Sequence, residues 1–545
     1  MAGNIFIMKR RQALKISSIG AIGMTTSIGS SCAKNNYSFD HGVASGDPLD
    51  DRVILWTRVS PDKSGPHEVL LEISNESNFS KIVFSKKLQT SSLSDYTIKH
   101  DFKASKHFES GTVFYFRFKA GNAVSEIGKT KTLSNNLLNA KIGIFSCSNF
   151  PAGFFNAYQA AADQDNLDLW LHLGDYLYEY PMGGYATNNA EMLKRVPEPT
   201  HEMITLSDYR QRHSQYKQDQ GSKALHRSAP LIAVWDDHEF SNDTWKKGAE
   251  NHSEDGTEGD FYARRSAAIK AYYEWMPIRE QENKRKIFRE FKIGKLLHLI
   301  MLDTRQFARD KQIQPKNYLD KSGFNQEKFY NDLNSSNRSL LGSEQLSWIE
   351  DVVSKTNAHW TLFGQQVLMT KLKFPDLTKM LNSEGVPSFL KPYLKFLGLG
   401  IPSNLDAWDG YPEDRNKLYS SMQKAKKQFI SLAGDTHNSW VSELENIDGE
   451  KIGIELGAPS VTSPGITDVL KLNEEEFTKS IVQINKELKW MDPSNRGFLT
   501  LDITKDSILA KFHFMKELEK INSEIKSFRS FVISNEGSNL SVKQS

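Results

Sequence analysis

The sequence predicts a layered α/β domain, central β-sheets flanked by helices, preceded by a small all-β sandwich of immunoglobulin or fibronectin type. Three observations predict it. Short apolar runs alternate with helical spacing from Lys141 onward, the text before Leu133 is strand-like, and four of the later runs end in unusual polar clusters. Such alternation implies helices on the faces of a sheet, with active residues just past strand C-termini. The 545 residues carry 69 Lys+Arg against 67 Asp+Glu, a net charge of +2, and are 38% hydrophobic and 25% charged. This is globular usage, and near-neutrality gives no basic surface for nucleic acid. Length alone allows roughly two to four domains. Cys32 and Cys147 are too few for a disulfide scaffold, and no run reaches the ~18 apolar residues of a membrane span.

Residues 1–36 read as an export signal, with Met8-Lys-Arg-Arg11 ahead of a weakly apolar run from Ile16 to Ser31. Arg10 and Arg11, followed by Leu14 and Lys15, resemble a twin-arginine signal, the route for proteins exported folded; a short amphipathic helix is the alternative. Cys32, behind Gly29, Ser30 and Ser31, resembles a bacterial lipoprotein cleavage box, although Gly29 stands where a leucine is usual. Lipidation of Cys32, giving a membrane anchor, and simple cleavage nearby are both open. Either outcome places the mature chain outside the cytoplasm, periplasmic or at the cell surface, and leaves Cys147 without a partner.

Residues 37–133 contain Arg52–Val59 and Thr112–Lys119, short strand-like bursts between Gly, Pro, Asp and Ser breaks, which predict the sandwich. Residues 134–140 read as a linker. The α/β domain, 141–515, has strands expected at 142–145, 167–173, 231–235, 297–302, 360–363, 428–432, 498–503 and 508–514. Helices are expected at 262–275 and 343–356. The Pro- and Leu-rich stretch from Lys371 to Ser403 reads as an insertion or lid. Beyond it, 516–545 is expected to hold one amphipathic helix, Lys516 to Arg529, and a disordered polar tail.

Four strands end in residues that a buried core would not choose: Ser146-Cys-Ser148, Gly174-Asp-Tyr-Leu-Tyr-Glu-Tyr180, Asp236-Asp-His-Glu239 and Gly434-Asp-Thr-His437. One such end is ordinarily a turn or cap. Four from one sheet would bring Cys, Tyr, His and several Asp to one point, a metal site by composition.

These clusters resemble the signature of calcineurin-like metallophosphoesterases, and their variants resemble the PhoD-type branch of secreted alkaline phosphatases and phosphodiesterases. His41-Gly-Val-Ala-Ser-Gly-Asp-Pro48, Leu302-Asp-Thr-Arg-Gln306 and Trp408-Asp-Gly-Tyr-Pro412 support the resemblance, which spans about residues 40 to 515. It implies the metallophosphoesterase sandwich, one ferric ion and one or two calcium ions, and hydrolysis of phosphate esters through a metal-activated water or hydroxide. Cys147, Asp175, Tyr178 and His437 would form a mixed sulfur, nitrogen and oxygen set, with a tyrosinate that needs a strong Lewis acid such as ferric iron. Tyr178 is otherwise an aromatic packed under the sheet edge, and Cys147 a buried inert thiol. Asp237 and Asp435 would add carboxylate oxygens for calcium. Asn242 would add an amide oxygen or serve a turn, and Asp236 would cap its loop or support a ligand. His238 matches the histidine that contacts phosphate or the leaving group. Arg305 either grips phosphate with its planar fork or makes a structural ion pair with Asp303 or a neighbour.

The resemblance implies a phosphate-ester substrate, whether small molecule, lipid or wall polymer, and a monomer is expected. A phospholipase D-type lipid diesterase is the nearest alternative, since the Leu/Phe-rich stretch Phe389–Ile401 suits an apolar ligand. A non-catalytic surface binding protein on the same fold is a third reading, disfavoured by the intact ligand set.

Overall fold

Two large sheets, of ten and seven strands, pack face to face in the computed structural model, which describes residues 36–253, 255–378, 394, 396–470, 472–536 and 539–545. The expected signal, with Arg10, Arg11 and Cys32, lies outside the described residues, as do 379–393 and 395 of the expected insertion.

The ten-stranded sheet has a parallel centre of Asn139–Phe145, Leu169–His172 and Leu231–Ala233. Gly497–Thr504, Ser507–Met515, Ile525–Glu536 and Asn539–Gln544 extend it antiparallel on one side. The seven-stranded sheet has parallel Leu297–Met301, Trp360–Gly364, Phe429–Ala433 and Lys451–Gly457 at its centre. Its central strands are mostly apolar because both faces are covered, although each carries one buried polar residue, His298, Thr361, Ser431 and Glu455. Leu297, Leu299 and Met301 point into the core between the sheets, whereas Ile300 and Leu302 point at helices Gly342–Lys355 and Pro412–Lys424. Helices Asn156–Asp163, Leu206–Gln218, Gln220–Ser228 and Phe261–Trp275 cover the other sheet through Tyr158, Tyr209, Leu225 and Tyr272. Two of them start at strong caps: Thr205 and Asp208 form a capping box, and the Asp260 carboxylate accepts the Tyr262 N–H. The layers thus run helix, sheet, sheet, helix.

The N-terminal sandwich is present. Gly128–Lys131, Val113–Ala120, His67–Ser74 and Ile82–Thr90 form one sheet, and Val43–Gly46, Val53–Arg58 and Thr97–Phe102 oppose it. Val53, Leu55, Leu71, Ile73, Phe114, Phe116 and Phe118 fill the space between. The second of these sheets is not separate from the parallel one: Gly46 pairs with Leu231, so the sandwich shares the ten-stranded sheet. A Cβ at Gly46 would lie 2.3 Å from the Pro277 carbonyl oxygen and 2.7 Å from that of Leu231, so the join requires glycine.

The C-terminal expectation is overturned. No helix spans Lys516 to Arg529, and the polar end is ordered as a strand pair. Residues Phe531 and Ile533 alternate into the core, so the period of two from Arg529 to Ser534 prevails over the helical spacing upstream. Residues 517–522 are held instead by Asn156, whose amide donates to the carbonyls of Glu517 and Lys520. At the two ends of the expected insertion, Ser403 N–H donates to the Leu372 carbonyl.

Candidate metal centre

All four polar clusters lie past the C-terminal ends of parallel strands, at neighbouring positions of the two facing sheets. The chain turns sharply to present them. Cys147, Asp175, Asp435 and His437 all have positive φ, between 53° and 64°. Such backbone costs about 1–3 kcal/mol per residue and persists only where surroundings over-determine it. Gly174 lets two of the loops touch, since a Cβ there would lie 2.6 Å from Asp236 N. Glu239 ties the same loops together, its carboxylate accepting the N–H groups of Asp175, Tyr176 and Asp236 at 3.1, 2.7 and 2.8 Å.

Three donor groups result: Cys147, Asp175 and His437; Asp175, Asp237 and His238; and Asp236, Asp237 and Asp435. Within each group the ligand atoms lie within 4.8 Å of one another. Asp175 and Asp237 each belong to two groups. The Tyr178 hydroxyl lies 3.2 Å from Asp175 Oδ2 and 3.1 Å from His437 Nε2, and accepts from Ser463 Oγ at 2.6 Å. His437 Nδ1 is 3.0 Å from the Pro464 carbonyl, which can only accept. That fixes the proton on Nδ1 and leaves the Nε2 lone pair facing Tyr178. On the other side, Glu179 Oε2 accepts from His238 Nδ1 at 2.7 Å and Glu179 Oε1 accepts from Asn242 N–H at 2.7 Å.

The electrostatics are those of acids crowded out of water. Burial pushes the Asp175 and Asp236 carboxyls well above the ordinary range, with neighbouring carboxylates adding to the effect, and burial lifts Asp435 to about 6. Burial also raises the Cys147 thiol and the Tyr178 phenol, and lowers His437 to about 3. Burial opposes charge on His238, but Asp237, Glu179 and Asp175 outweigh it and hold the imidazole well above its usual value. Three buried carboxylate oxygens, Asp175 Oδ1, Asp236 Oδ2 and Asp237 Oδ1, accept no hydrogen bond. A buried carboxylate oxygen without a donor is costly. Cations fit this set on both counts: they match the orphaned oxygens and reverse the repulsion.

Arg305 is fully buried and does not face open space. Its guanidinium meets Asp236, Asp406 at 2.6 Å and Asp435 at 2.8 Å, and its N–H donates to Asp303 at 2.8 Å. The fork is engaged by carboxylates, which is the ion-pair alternative left open by the sequence. Asn242 Oδ1 accepts from the Tyr180 hydroxyl at 2.9 Å, and its amide donates to Glu250. Sequence reasoning missed Glu179, Glu239 and Asp406. The two glutamates stood inside quoted motifs, where an acid without an assigned task was the available signal. Asp406 sits beside the insertion with no signal.

The PhoD-like phosphatase family model matches residues 142–512, and that of the PhoD-like phosphatase N-terminal domain matches 25–134. The chain belongs to the PhoD-like phosphatase family. It is 31% identical over 522 residues to alkaline phosphatase D of Bacillus subtilis (strain 168), covering 91% of this chain and 81% of that one. A solved structure described as the structure of PhoD superposes with a TM-score of 0.77 at 30% identity, covering 92% of each chain. Like its PhoD-like relatives, the chain is a phosphoric ester hydrolase. Among the described residues no helix is long and apolar enough to cross a membrane.

Proposed function

We propose that this PhoD-like chain is an exported, monomeric, metal-dependent phosphodiesterase and phosphomonoesterase. Cys147, Asp175, Tyr178 and His437 would hold ferric iron, and Asp175, Asp237 and Asp435, backed by Asp236, would hold one or two calcium ions. The observation that carries this reading is the sharing of Asp175 and Asp237 between overlapping donor groups, the arrangement that places cations side by side. Bound ions would supply Lewis acidity to phosphoryl oxygens and lower the pKa of water.

The chain's own residues do the rest. Glu179 fixes the His238 proton on Nδ1 and favours the charged imidazole, so Nε2–H is available to a phosphoryl or leaving oxygen. Arg305 acts as a positioning residue, holding Asp236 and Asp435 apart from each other's charge. Ser463 and Asp175 orient the Tyr178 oxygen. Metal analysis and a visible spectrum of the purified protein, with paired assays on a phosphomonoester and a phosphodiester, test the proposal. Iron and calcium in a coloured, active protein are expected. A colourless, iron-free protein fully active with zinc or manganese would overturn the metal assignment.

A further inference from the structure

The donor groups open on one side into a cleft of about 380 Å³. Asp435, His437 and Tyr185 form its inner wall, so it is continuous with the catalytic centre. Leu368, Leu372, Phe374, Trp440, Ile466 and Val469 line the remainder. Several of the polar side chains on that wall are engaged within the fold. Thr370 Oγ1 donates to Glu455 at 2.6 Å, Ser403 Oγ donates to the Leu372 carbonyl at 3.0 Å, and the Trp440 indole N–H donates to Thr436 at 2.7 Å. Asn438 donates to the Thr436 carbonyl and accepts the Ile466 N–H at 3.2 Å. A sugar or nucleoside arm would lose its water here and find few partners in return, which costs affinity. An alkyl or aryl arm would lose nothing and would be driven in by burial.

We infer that this cleft is the subsite for an apolar arm of the substrate, so that the preferred esters carry an alkyl or aryl group on phosphate. The inference rests on the phosphoesterase reading above and adds the substrate class to it. Each methylene seated in the cleft is worth up to about fourfold in kcat/KM, from ~0.8 kcal/mol per buried CH₂.

The test uses the metal-replete protein and three diesters, the methyl, butyl and octyl esters of 4-nitrophenyl phosphate, kept below micelle-forming concentration. From methyl to butyl, kcat/KM should rise about tenfold or more. In Val469→Asp, which sets a charge in the cleft wall, the octyl-to-methyl ratio should collapse toward one. Circular dichroism and metal content check that this variant folds, and Ile466→Ser serves as a milder second variant. Calorimetric binding of octyl phosphate against methyl phosphate is read separately. Equal kcat/KM across the three esters together with equal affinity for the two phosphates would overturn the inference. Chain-length-dependent affinity in a protein that hydrolyses none of the esters would overturn the hydrolytic reading and leave the cleft assignment standing.

Discussion

Two buried clusters of titratable groups lie on either side of the segment Asp175–Tyr178, and they deal with charge in opposite ways. On one side are the carboxylates of the metal centre. On the other is a nest of bases among the helices: the Tyr176 hydroxyl lies 2.9 Å from His226 Nε2, Lys217 Nζ lies 2.7 Å from the same nitrogen, and His172 Nε2 lies 2.9 Å from the Tyr158 hydroxyl. Among the described residues no carboxylate pairs with Lys217, which instead sits over the rings of Trp56 and Tyr176. Burial lowers His172 to about 3 and drives His213, His226 and Lys217 well below their usual values. Burial favours the uncharged form of each base in the nest. In the acidic centre Arg305 and His238 balance the carboxylates in part, and burial pushes Asp175 and Asp236 toward the protonated form, a part that cations from outside would take over.

The sharpest way to break this contrast is at Asp175, the residue shared by both sets of proposed ions. Asp175→Asn should lower kcat/KM by on the order of 10³, with loss of both metals by elemental analysis. Retention of both would refute the bridging role. Tyr178→Phe keeps the ring and removes the oxygen, and should bleach the visible band with a loss of about a hundredfold in activity while calcium stays bound. At Arg305, substitution by lysine keeps a charge but cannot meet three carboxylates at once. A roughly tenfold rise in the calcium needed for half-maximal activity is expected, and an unchanged calcium titration would return Arg305 to a purely structural part.

The smallest effect belongs to the basic nest and is read from stability. The folded values of His172, His213 and His226 lie below 6.5, and that of Lys217 lies below 10.5. The unfolded chain therefore binds more protons than the folded one across this range, so stability rises with pH toward about 10.5 and falls on acidification. Against the opposite drift of the raised groups at the metal centre, the nest's own contribution to melting temperature from pH 6 to 9 at fixed metal should climb. Lys217→Met, which removes the largest base, should flatten the climb above pH 7, and a slope unchanged in that variant would show that the amine is charged in the fold.

The strand ends were legible in the sequence because each buried run stopped at a residue that apolar packing cannot use. The clusters holding Cys147, Asp175, Asp237 and His437 could be found on that ground, and the family resemblance singled those residues out. The partners of those residues were harder, since the ties between Glu239 and the Asp175 loop, or between Arg305 and Asp406, join positions far apart in the chain. Arg305 illustrates the difficulty: its fork suits phosphate and carboxylate equally, and only the neighbouring strand ends decide which one it meets. The C-terminal segment misled for a different reason. Lys516 to Glu524 carries helical spacing, but Asn156 captures its backbone, and pairing with Ser507–Met515 holds Ile525–Glu536 as a strand.

The order of strands in the ten-stranded sheet also sets a timetable for synthesis. Asn139–Phe145 has Leu169–His172 on one flank and Gly497–Thr504 on the other, more than three hundred positions later in the sequence. A chain emerging from the ribosome can form the sandwich core and the first parallel strands early, but that flank stays open until nearly the whole polypeptide is out. Unpaired parallel strands and their bare apolar face are slow to close and prone to stick to one another. The nascent protein therefore passes most of its synthesis with its future catalytic sheet unsealed, and the interval is one in which a chaperone has something to hold.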